Sequence, residues 1–367
     1  MSMHGVAARR VGEKGPGAAV RAAIGRGLAL WLGAGLAVAT TAGADPGFSA
    51  ERAFAHLEAL SDIGPRVSGT EGAERARAYL REQLEAIGAE VSELQLDLMQ
   101  GGTELVTLTH LLGELPGSSP DRILLVAHYD TTPVDSFRYV GANASASGPA
   151  AVLELGRVLA EGPRPYTVQL LFIDGDALSR GEDGRPRPYG SLGVAGLWSD
   201  EGRFVGVRVA FFLGQVADPD LAIARDLRSN RMHRRRVWSV AAELGYTDAF
   251  PPDAEFASPD GGHVAFADRG LRSLVAVTDD RYGGDEPPGL FDFTEKDTAD
   301  QCSAESLGVV GEVLAETLER IEAHLVRIDG FVRRPPAEET EPAPEAGDPV
   351  VEDEQEPGDG VGEAPEP

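Results

Sequence analysis

Histidine and aspartate residues placed directly after apolar runs could form a catalytic site in this 367-residue chain. His128 and Asp130 follow the run Ile123–Ala127, and an aspartate at this distance can orient the imidazole. Asp176 follows another apolar run, and His263 comes later in a Gly-Gly-His sequence. Imidazole and carboxylate groups serve both as zinc ligands and as catalytic acids or bases. Taken alone, however, His128 is better interpreted as a hydrogen-bonded histidine of the core.

Alternating strand and helix patterns predict the fold that would position these side chains. Because strands alternate with helices, we expect an α/β fold with a mixed, mostly parallel sheet that is covered on both faces. Functional groups in such folds gather on loops beyond the carboxyl ends of the strands. The predicted strands are 91–98, 105–112, 123–127, 167–173, 207–213 and 274–277, and the predicted helices are 48–60, 74–87, 149–159, 232–244 and 303–328.

A long part of the chain, from about Phe54 to about Leu325, resembles the zinc aminopeptidases and the related glutaminyl cyclases. The motifs that carry the resemblance include, in this order, IGPRVSGTEGAERARAYLREQLEAIG, LPGSSPDRILLVAHYDT, GANASASG, LLFIDGDA, YGSLGVAGLW, GGHVAFADRG and DFTEKDTADQCS. The resemblance implies a three-layer αβα sandwich of the zinc-exopeptidase type. The block Tyr189–Ala195 and the Tyr-Val before the Gly-rich turn are more similar to the cyclase branch than to the peptidase branch.

The resemblance also implies where a zinc ion would bind, and there this sequence departs from the family's pattern. The family has a metal-binding Asp in the Gly-rich turn, where this chain has Ala144. After the next strand the family has Glu-Glu, in which the first Glu is the base and the second a ligand. This chain has Asp176 and Ala177, so a carboxylate remains only at the base position. Phe293 stands in place of the last imidazole ligand.

Two glycines replace further acidic residues of the family. Gly214 stands where an Asp ligates metal in the peptidases and relays protons in the cyclases, and Gly262 replaces an Asp of the cyclase hydrogen-bond network. Methyl and phenyl groups cannot coordinate a cation, so we expect no bound zinc and no other cofactor. A rearranged metal site remains an alternative to an empty former-site pocket. The residues expected around that pocket are His128, Asp130, Ala144, Ala177, Gly214, Gly262, His263 and Phe293, with Asp176 as a remnant at the base position.

The favoured functional hypothesis is a catalytically inactive member of this family that acts as a binding or scaffolding module. Its expected partner is the amino terminus of a peptide or protein. The alternative is an active glutaminyl-peptide cyclotransferase or aminopeptidase with an unconventional site, in which Asp176 is the base and His128 anchors metal or substrate. An unrelated reaction has no specific support. A serine hydrolase that uses Ser145 or Ser147 is disfavoured because the chain lacks a Gly-x-Ser-x-Gly elbow.

Composition predicts three segments. Residues 1–44 have five basic side chains, an apolar run at Leu28–Ala39 and Ala42-Gly43-Ala44, which is typical of a signal peptide or an N-terminal anchor. We therefore expect export to the periplasm or outside the cell, with membrane attachment only if this segment is uncleaved. Residues 45–330 would form the α/β domain. Residues 331–367 are rich in Pro and Glu and are predicted to be a disordered acidic tail.

Charge and cysteine content exclude other classes. The net charge of −27 would repel phosphate backbones, so a nucleic-acid partner is not expected. The single cysteine, Cys302, excludes an intrachain disulfide and a Cys-based zinc cluster. The arginine-rich segment 228–236 is interpreted as a solvated helix face. Asp218-Pro219-Asp220 and Asp279-Asp280 lack the spacing of a calcium loop and are interpreted as surface turns.

Overall fold

The computed structural model describes residues 6–8, 47–100, 104–179, 187–257, 261–285 and 289–330. The predicted tail and, apart from residues 6–8, the predicted signal segment lie outside the described residues. The boundaries expected for these two segments therefore stay predictions. Within the described ranges, no helix combines the length and the apolar character needed to cross a membrane.

A mixed sheet of seven strands forms the centre of the molecule, in the order β1-β2-β3-β5-β4-β6-β9. β4 pairs in parallel with β5 and β6, and β6 pairs in parallel with β9. β2 and β3 form an antiparallel hairpin, and β3 pairs antiparallel with β5. A separate two-stranded sheet contains β7 and β8. The strands are β1 (Val6–Ala8), β2 (Glu90–Gln100), β3 (Glu104–Leu115), β4 (Ser119–His128), β5 (Tyr166–Ile173), β6 (Val207–Gly214), β7 (Arg225–Asp226), β8 (Glu255–Phe256) and β9 (Leu274–Thr278).

The helices agree with the sequence prediction, with two additions. The helices are α1 (Ala50–Ile63), α2 (Glu71–Ala86), α3 (Gly148–Ala160), α4 (Tyr189–Asp200), α5 (Arg231–Leu244), α6 (Gly262–Asp268) and α7 (Ala304–Asp329). Each of the six strands and five helices expected from the sequence is confirmed, with ends that shift by a few residues. α4 and α6 were not predicted. Three glycines within α4 weaken its helical pattern, and α6 has only seven residues.

Alternation along β4 explains why the sheet is covered on both faces. Successive side chains of a strand point to opposite faces. Ile123, Leu125 and Ala127 belong to a core cluster that also contains residues of α1, α2, α3, α5 and α7. Leu124 and Val126 belong to a second cluster that contains residues of α4 and α6. The predicted α/β fold with helices on both faces of a mixed sheet is therefore confirmed.

A buried arginine connects the segments that lead into the site. Arg66 lies in the loop between α1 and α2, and none of its surface is exposed. Burial lowers the pKa of its guanidinium to about 10, so the group still carries its charge at neutral pH. Its nitrogens donate hydrogen bonds to five carbonyl oxygens at the end of α1, after β4 and before the Gly-rich turn, in Leu60, Gly64, Tyr129, Val140 and Gly141, at 2.8–3.1 Å.

The substitution Arg66→Lys should destabilise the protein strongly. A lysine has three donors on one atom and cannot reach five oxygens that surround a planar guanidinium, so buried carbonyl groups would lose their partners. We expect the free energy of unfolding to fall by about 3 kcal/mol, measured by urea denaturation. The exposed residue Arg75, changed to lysine, is the control. A loss for Arg66→Lys no larger than that of the control would contradict this assignment.

Candidate active site

A cavity of about 180 Å³ lies at the carboxyl ends of the parallel strands, where the sequence predicts functional groups. β4, β5, β6 and β9 each contribute residues to its wall, and the start of α6 closes one side. Six of the nine expected site residues line this cavity: His128, Ala144, Asp176, Gly214, Gly262 and His263. Asp130, Ala177 and Phe293 do not line it.

Asp130 is a fully buried carboxylate that joins the ends of β4 and β5. Its Oδ1 lies 3.3 Å from Nδ1 of His128 and accepts a 3.1 Å hydrogen bond from the backbone N–H of Asp176. Its Oδ2 accepts a 2.8 Å hydrogen bond from the backbone N–H of Ala177. Burial alone would lower the pKa of His128, but the hydrogen bond with Asp130 and the charges of Asp130 and Asp176 raise it overall. Asp130 therefore orients the imidazole and fixes the loop that carries Asp176.

Asp176 is held by the first turn of α4. Its carboxylate accepts hydrogen bonds from the backbone N–H of Ser191 at 2.7 Å and from the Ser191 hydroxyl at 2.6 Å. Burial raises the pKa of Asp176 to about 6; His128 and the bonds from Ser191 oppose this rise, and Asp130 adds to it. At Gly262, a Cβ atom would lie 2.7 Å from Ser191 Oγ and 2.8 Å from Asp176 Oδ2. The absence of a side chain at Gly262 thus makes room for the Asp176–Ser191 pair.

A second buried carboxylate, Asp297, holds the Gly-rich turn. This turn is a π-helical segment, Ala142–Ser147, which leads directly into α3. Asp297 accepts hydrogen bonds from the backbone N–H groups of Asn143 at 2.7 Å and Ala144 at 3.3 Å, and from the Tyr139 hydroxyl at 3.1 Å. Burial raises the pKa of Asp297 to about 6, although these hydrogen bonds lower it. The carboxylate therefore fixes the backbone position of Ala144 at the cavity wall.

Phe293 lies beside this turn rather than in the cavity. Its ring centroid is 6.1 Å from that of Tyr139, the tyrosine that donates to Asp297. Its backbone has a φ of +55°, which is unusual for a residue with a bulky side chain. Phe293 is thus linked to Ala144 by a ring contact with Tyr139 and by the hydrogen bonds of Asp297 with Tyr139 and with the backbone of Ala144. Ala177 is linked to the cavity separately, by the hydrogen bond of its backbone N–H to Asp130. Unusual backbone conformations of this kind persist where the surrounding structure holds them in place.

Four polar residues of the cavity were missed by the sequence analysis: Ser191, Gln215, Thr278 and Asp280. The last three directly end or follow β6 and β9, so their positions after predicted strands could have identified them. The interpretation of Asp279-Asp280 as a surface turn was wrong, since Asp279 is only 2% exposed and Asp280 lines the cavity. Asp218, also only 2% exposed, accepts hydrogen bonds from the backbone of Asp220 and Gly283, which organises the neighbouring loops.

Ser147 of the Gly-rich turn has a structural role in this part of the site. The Ser147 hydroxyl donates to the carbonyl oxygen of Asn143 at 2.6 Å and accepts from the backbone N–H of Val216 at 3.0 Å. The first bond lies within the turn, and the second joins the turn to the segment after β6. The hydroxyl proton is thus donated to a carbonyl oxygen, whereas a nucleophilic serine donates to a general base.

The nitrogen and oxygen donors of the cavity do not fit a zinc site. In the described part of the chain, no group of three or more His, Cys, Asp or Glu side chains is arranged to hold a metal ion. Asp130 is engaged by two backbone N–H groups and His128, and both oxygens of Asp176 accept from Ser191. A catalytic zinc normally has three protein ligands and an open position. The expectation that this chain binds no zinc stays a prediction.

Similarity to known proteins agrees with this architecture. Residues 110–318 match the sequence profile of Peptidase family M28. The fold is similar to the crystal structure of an Acidobacteriales bacterium glutaminyl cyclase, with a TM-score of 0.69 and 25% identity over 76% of this chain and 96% of that chain. A Zn-dependent exopeptidase from Parabacteroides distasonis has a TM-score of 0.63 and 21% identity over 76% of this chain and 99% of that one.

A curated relative adds sequence similarity over a shorter range. The glutaminyl-peptide cyclotransferase of Drosophila melanogaster is 24% identical over 196 residues, which cover 52% of this chain and 55% of that protein. The match thus spans about half the length of this relative. Because the family profile covers more than half of the chain, the protein belongs to Peptidase family M28. The expected membership of the zinc aminopeptidase and glutaminyl cyclase group is confirmed.

The raised pKa of Asp176 predicts a pH dependence of stability. The ordinary pKa of an aspartate is 3.8, so the stability linked to Asp176 is fully present below about pH 4 and is lost as the pH rises through 6. The asparagine in Asp176→Asn cannot ionise, so this variant should not lose stability through ionisation at position 176. We expect the stability difference between variant and parent to grow by up to about 3 kcal/mol between pH 4 and pH 7, measured by urea denaturation.

Ser191→Ala provides the matched comparison. Loss of the Ser191 hydroxyl removes a hydrogen bond that favours the ionised form, so the pKa of Asp176 should rise further. In this variant the loss of stability should extend to higher pH than in the parent. A stability difference between Asp176→Asn and parent that stays constant from pH 4 to pH 7 would contradict the assignment.

Proposed function

We propose that this protein uses the glutaminyl cyclase-like fold of Peptidase family M28 as a binding module without zinc catalysis. One observation carries this proposal: the residues at the family's three ligand positions are Ala144, Ala177 and Phe293, and none can donate a lone pair. Ala144 lines the cavity, and the backbone N–H of Ala177 is bound to Asp130, which orients His128. Ala144 therefore presents no ligand atom at the cavity wall, and Ala177, outside the lining, contributes only its backbone N–H to Asp130.

The engagement of the remaining carboxylates supports the same proposal. A buried carboxylate without a partner is strongly unfavourable. Asp130, Asp176 and Asp297 each accept at least two hydrogen bonds from the protein, mostly from backbone N–H groups. These bonds offset part of the cost of burying the charges, although burial still raises the pKa of Asp176 and Asp297 to about 6. A rearranged metal site would first have to break them.

The ligand we propose is the amino terminus of a peptide or protein. Glutaminyl cyclases and aminopeptidases act on peptide amino termini, so the same class of ligand is proposed for this chain. The ligand would bind in the cavity, where Asp176 occupies the position of the family's catalytic base. An ammonium group can interact with this carboxylate and with the cavity's hydrogen-bond acceptors. Export to the periplasm or the exterior, through the signal-like segment 1–44, belongs to the same proposal and gives access to such peptides.

Elemental analysis tests the loss of the metal. The purified protein should contain far less than one zinc per chain, whereas the variant Ala144→Asp, Ala177→Glu, Phe293→His should retain about one zinc per chain that a chelator removes. The matched control is Ala144→Asn, Ala177→Gln, Phe293→Tyr, which restores size without the ligands. A full equivalent of chelator-sensitive zinc in the parent protein would reject the proposal. Zinc in neither variant would mean that the three positions do not form one ligand set.

The second candidate function is an active glutaminyl-peptide cyclotransferase or aminopeptidase with an unconventional site. The pKa of about 6 at Asp176 favours it, because a carboxylate with a pKa near the working pH is suited to proton transfer. His128, with a raised pKa, lies in the same cavity and would anchor the substrate.

Turnover assays separate the two candidates. In the second candidate, peptides that begin with glutamine, or aminoacyl reporter substrates, should be converted, and Asp176→Asn should lower the rate at least about a hundredfold. Asp62→Asn, which changes an exposed acidic residue of α1, is the control and should leave the rate unchanged. The first candidate predicts no turnover above background in any of these proteins. A measured rate that Asp176→Asn does not change would exclude Asp176 as the base.

A further inference from the structure

The cavity has a second polar region, in which only His263 was expected from the sequence. Gln215, Thr278 and Asp280 lie at the ends of β6 and β9, and His263 lies in the first turn of α6. The backbone N–H of Asp279 donates to the carbonyl oxygen of Gln215 at 3.3 Å, so the two strand ends are joined here. We call these four residues, Gln215, His263, Thr278 and Asp280, the Asp280 subsite.

This subsite is separated from Asp176 by the order of the strands. Asp176 follows β5 and Asp280 follows β9, and β4 and β6 lie between them in the sheet. Three strand spacings place the two strand ends about 14 Å apart. Side chains that point inward from both ends line one cavity. A ligand that contacts both carboxylates must therefore present two separate groups to them.

The only basic side chain within the subsite is the imidazole of His263. None of the residues that line the cavity is Lys or Arg. Burial raises the pKa of Asp280, the carboxylates of Asp279 and Asp226 add to this rise, and His263 and the Thr278 hydroxyl oppose it. The described residues include no arginine or lysine within ion-pair distance of Asp280, in contrast to its neighbour Asp279, which pairs with Arg281 at 3.2 Å. A cation in the cavity would relieve this unfavourable state.

Two buried polar atoms of the subsite also lack hydrogen-bond partners. His263 is only 7% exposed, and its Nε2 makes no hydrogen bond, with the nearest carboxylate oxygen, of Asp226, at 3.5 Å. Gln215 donates through its amide nitrogen to Asp292 at 3.4 Å, which leaves its buried Oε1 as an acceptor without a donor. Buried polar atoms without partners are uncommon in folded proteins, and a bound ligand or water would satisfy both of these.

We propose that the Asp280 subsite binds an organic cation, and that in the proposed peptide complex this cation is the basic side chain of the first residue. The inference rests on the proposed binding of a peptide amino terminus. The amino group would lie at Asp176, and the guanidinium or ammonium group of Arg or Lys would lie between Asp280 and Gln215 Oε1. The cavity of about 180 Å³ holds on the order of ten water-sized groups, enough for one such side chain.

Peptides that differ only in the first side chain test this proposal. Binding of peptides that begin with arginine, lysine, citrulline or norleucine is measured by calorimetry on the full chain. We expect the arginine and lysine peptides to bind at least about tenfold more tightly than the two neutral ones. Asp280→Asn should reduce this preference to less than about twofold. Asp285→Asn, which removes the same charge from an exposed residue outside the cavity, should leave it unchanged.

Each other outcome has a defined meaning. Equal binding of all four peptides, or a preference that persists in Asp280→Asn, would overturn the subsite and leave the proposed function intact. If no peptide binds, the proposed function fails, and methylguanidinium then tests the subsite alone through the melting temperature. If methylguanidinium raises the melting temperature of the parent and of Asp285→Asn, but not that of Asp280→Asn, the result would support the subsite. If methylguanidinium does not raise it in the parent, or if calcium chloride raises it equally, the subsite would be overturned.

Discussion

The buried guanidinium of Arg66 is the interaction on which the geometry of the cavity depends. It lies between the end of α1, the end of β4 and the start of the Gly-rich turn, and it binds carbonyl oxygens of all three. Those segments have no regular hydrogen-bond ladder with one another, so the planar cation supplies the bonds that secondary structure does not. A charge that stays buried and ionised needs such a set of acceptors. His128 and Ala144 each lie within a few residues of these oxygens.

Two buried carboxylates also hold segments of the site in place through hydrogen bonds. Asp130 fixes the loop after β5, and Asp297 fixes the π-helical turn before α3, in both cases through backbone N–H groups. Backbone bonds do not depend on the side chains at the positions they hold. The substitutions Ala144 and Ala177 therefore leave the scaffold of the site intact. A scaffold held through backbone groups tolerates different side chains at these positions, and membership of Peptidase family M28 does not by itself define an activity.

Much of the fold could be predicted from the sequence because its signals are local. The strands of the parallel core are continuous apolar runs, and α7 repeats apolar residues at helical spacing, so both types of element were found near their actual ends. α4 and α6 were missed because their stability comes from packing against the sheet, through Val194, Trp198 and Phe266, and not from helix propensity. Of the site, His128, Ala144, Asp176, Gly214, Gly262 and His263 do line one cavity.

What the sequence could not provide was the part of the cavity that depends on distant contacts. Asp279-Asp280 looks like a polar turn along the chain, yet β9 pairs with β6 and α6 packs nearby, so one carboxylate is enclosed and the other faces the cavity. The ring of Phe293 packs near that of Tyr139, beside the cavity. Its loop is held there because Tyr139 donates a hydrogen bond to Asp297, four residues after Phe293 in the chain, and Asp297 binds the Gly-rich turn. The cavity lining contains the carboxylates of Asp176 and Asp280, the imidazoles of His128 and His263, and no lysine or arginine. In the proposed complex these carboxylates are the groups that an ammonium or guanidinium group of the ligand would meet.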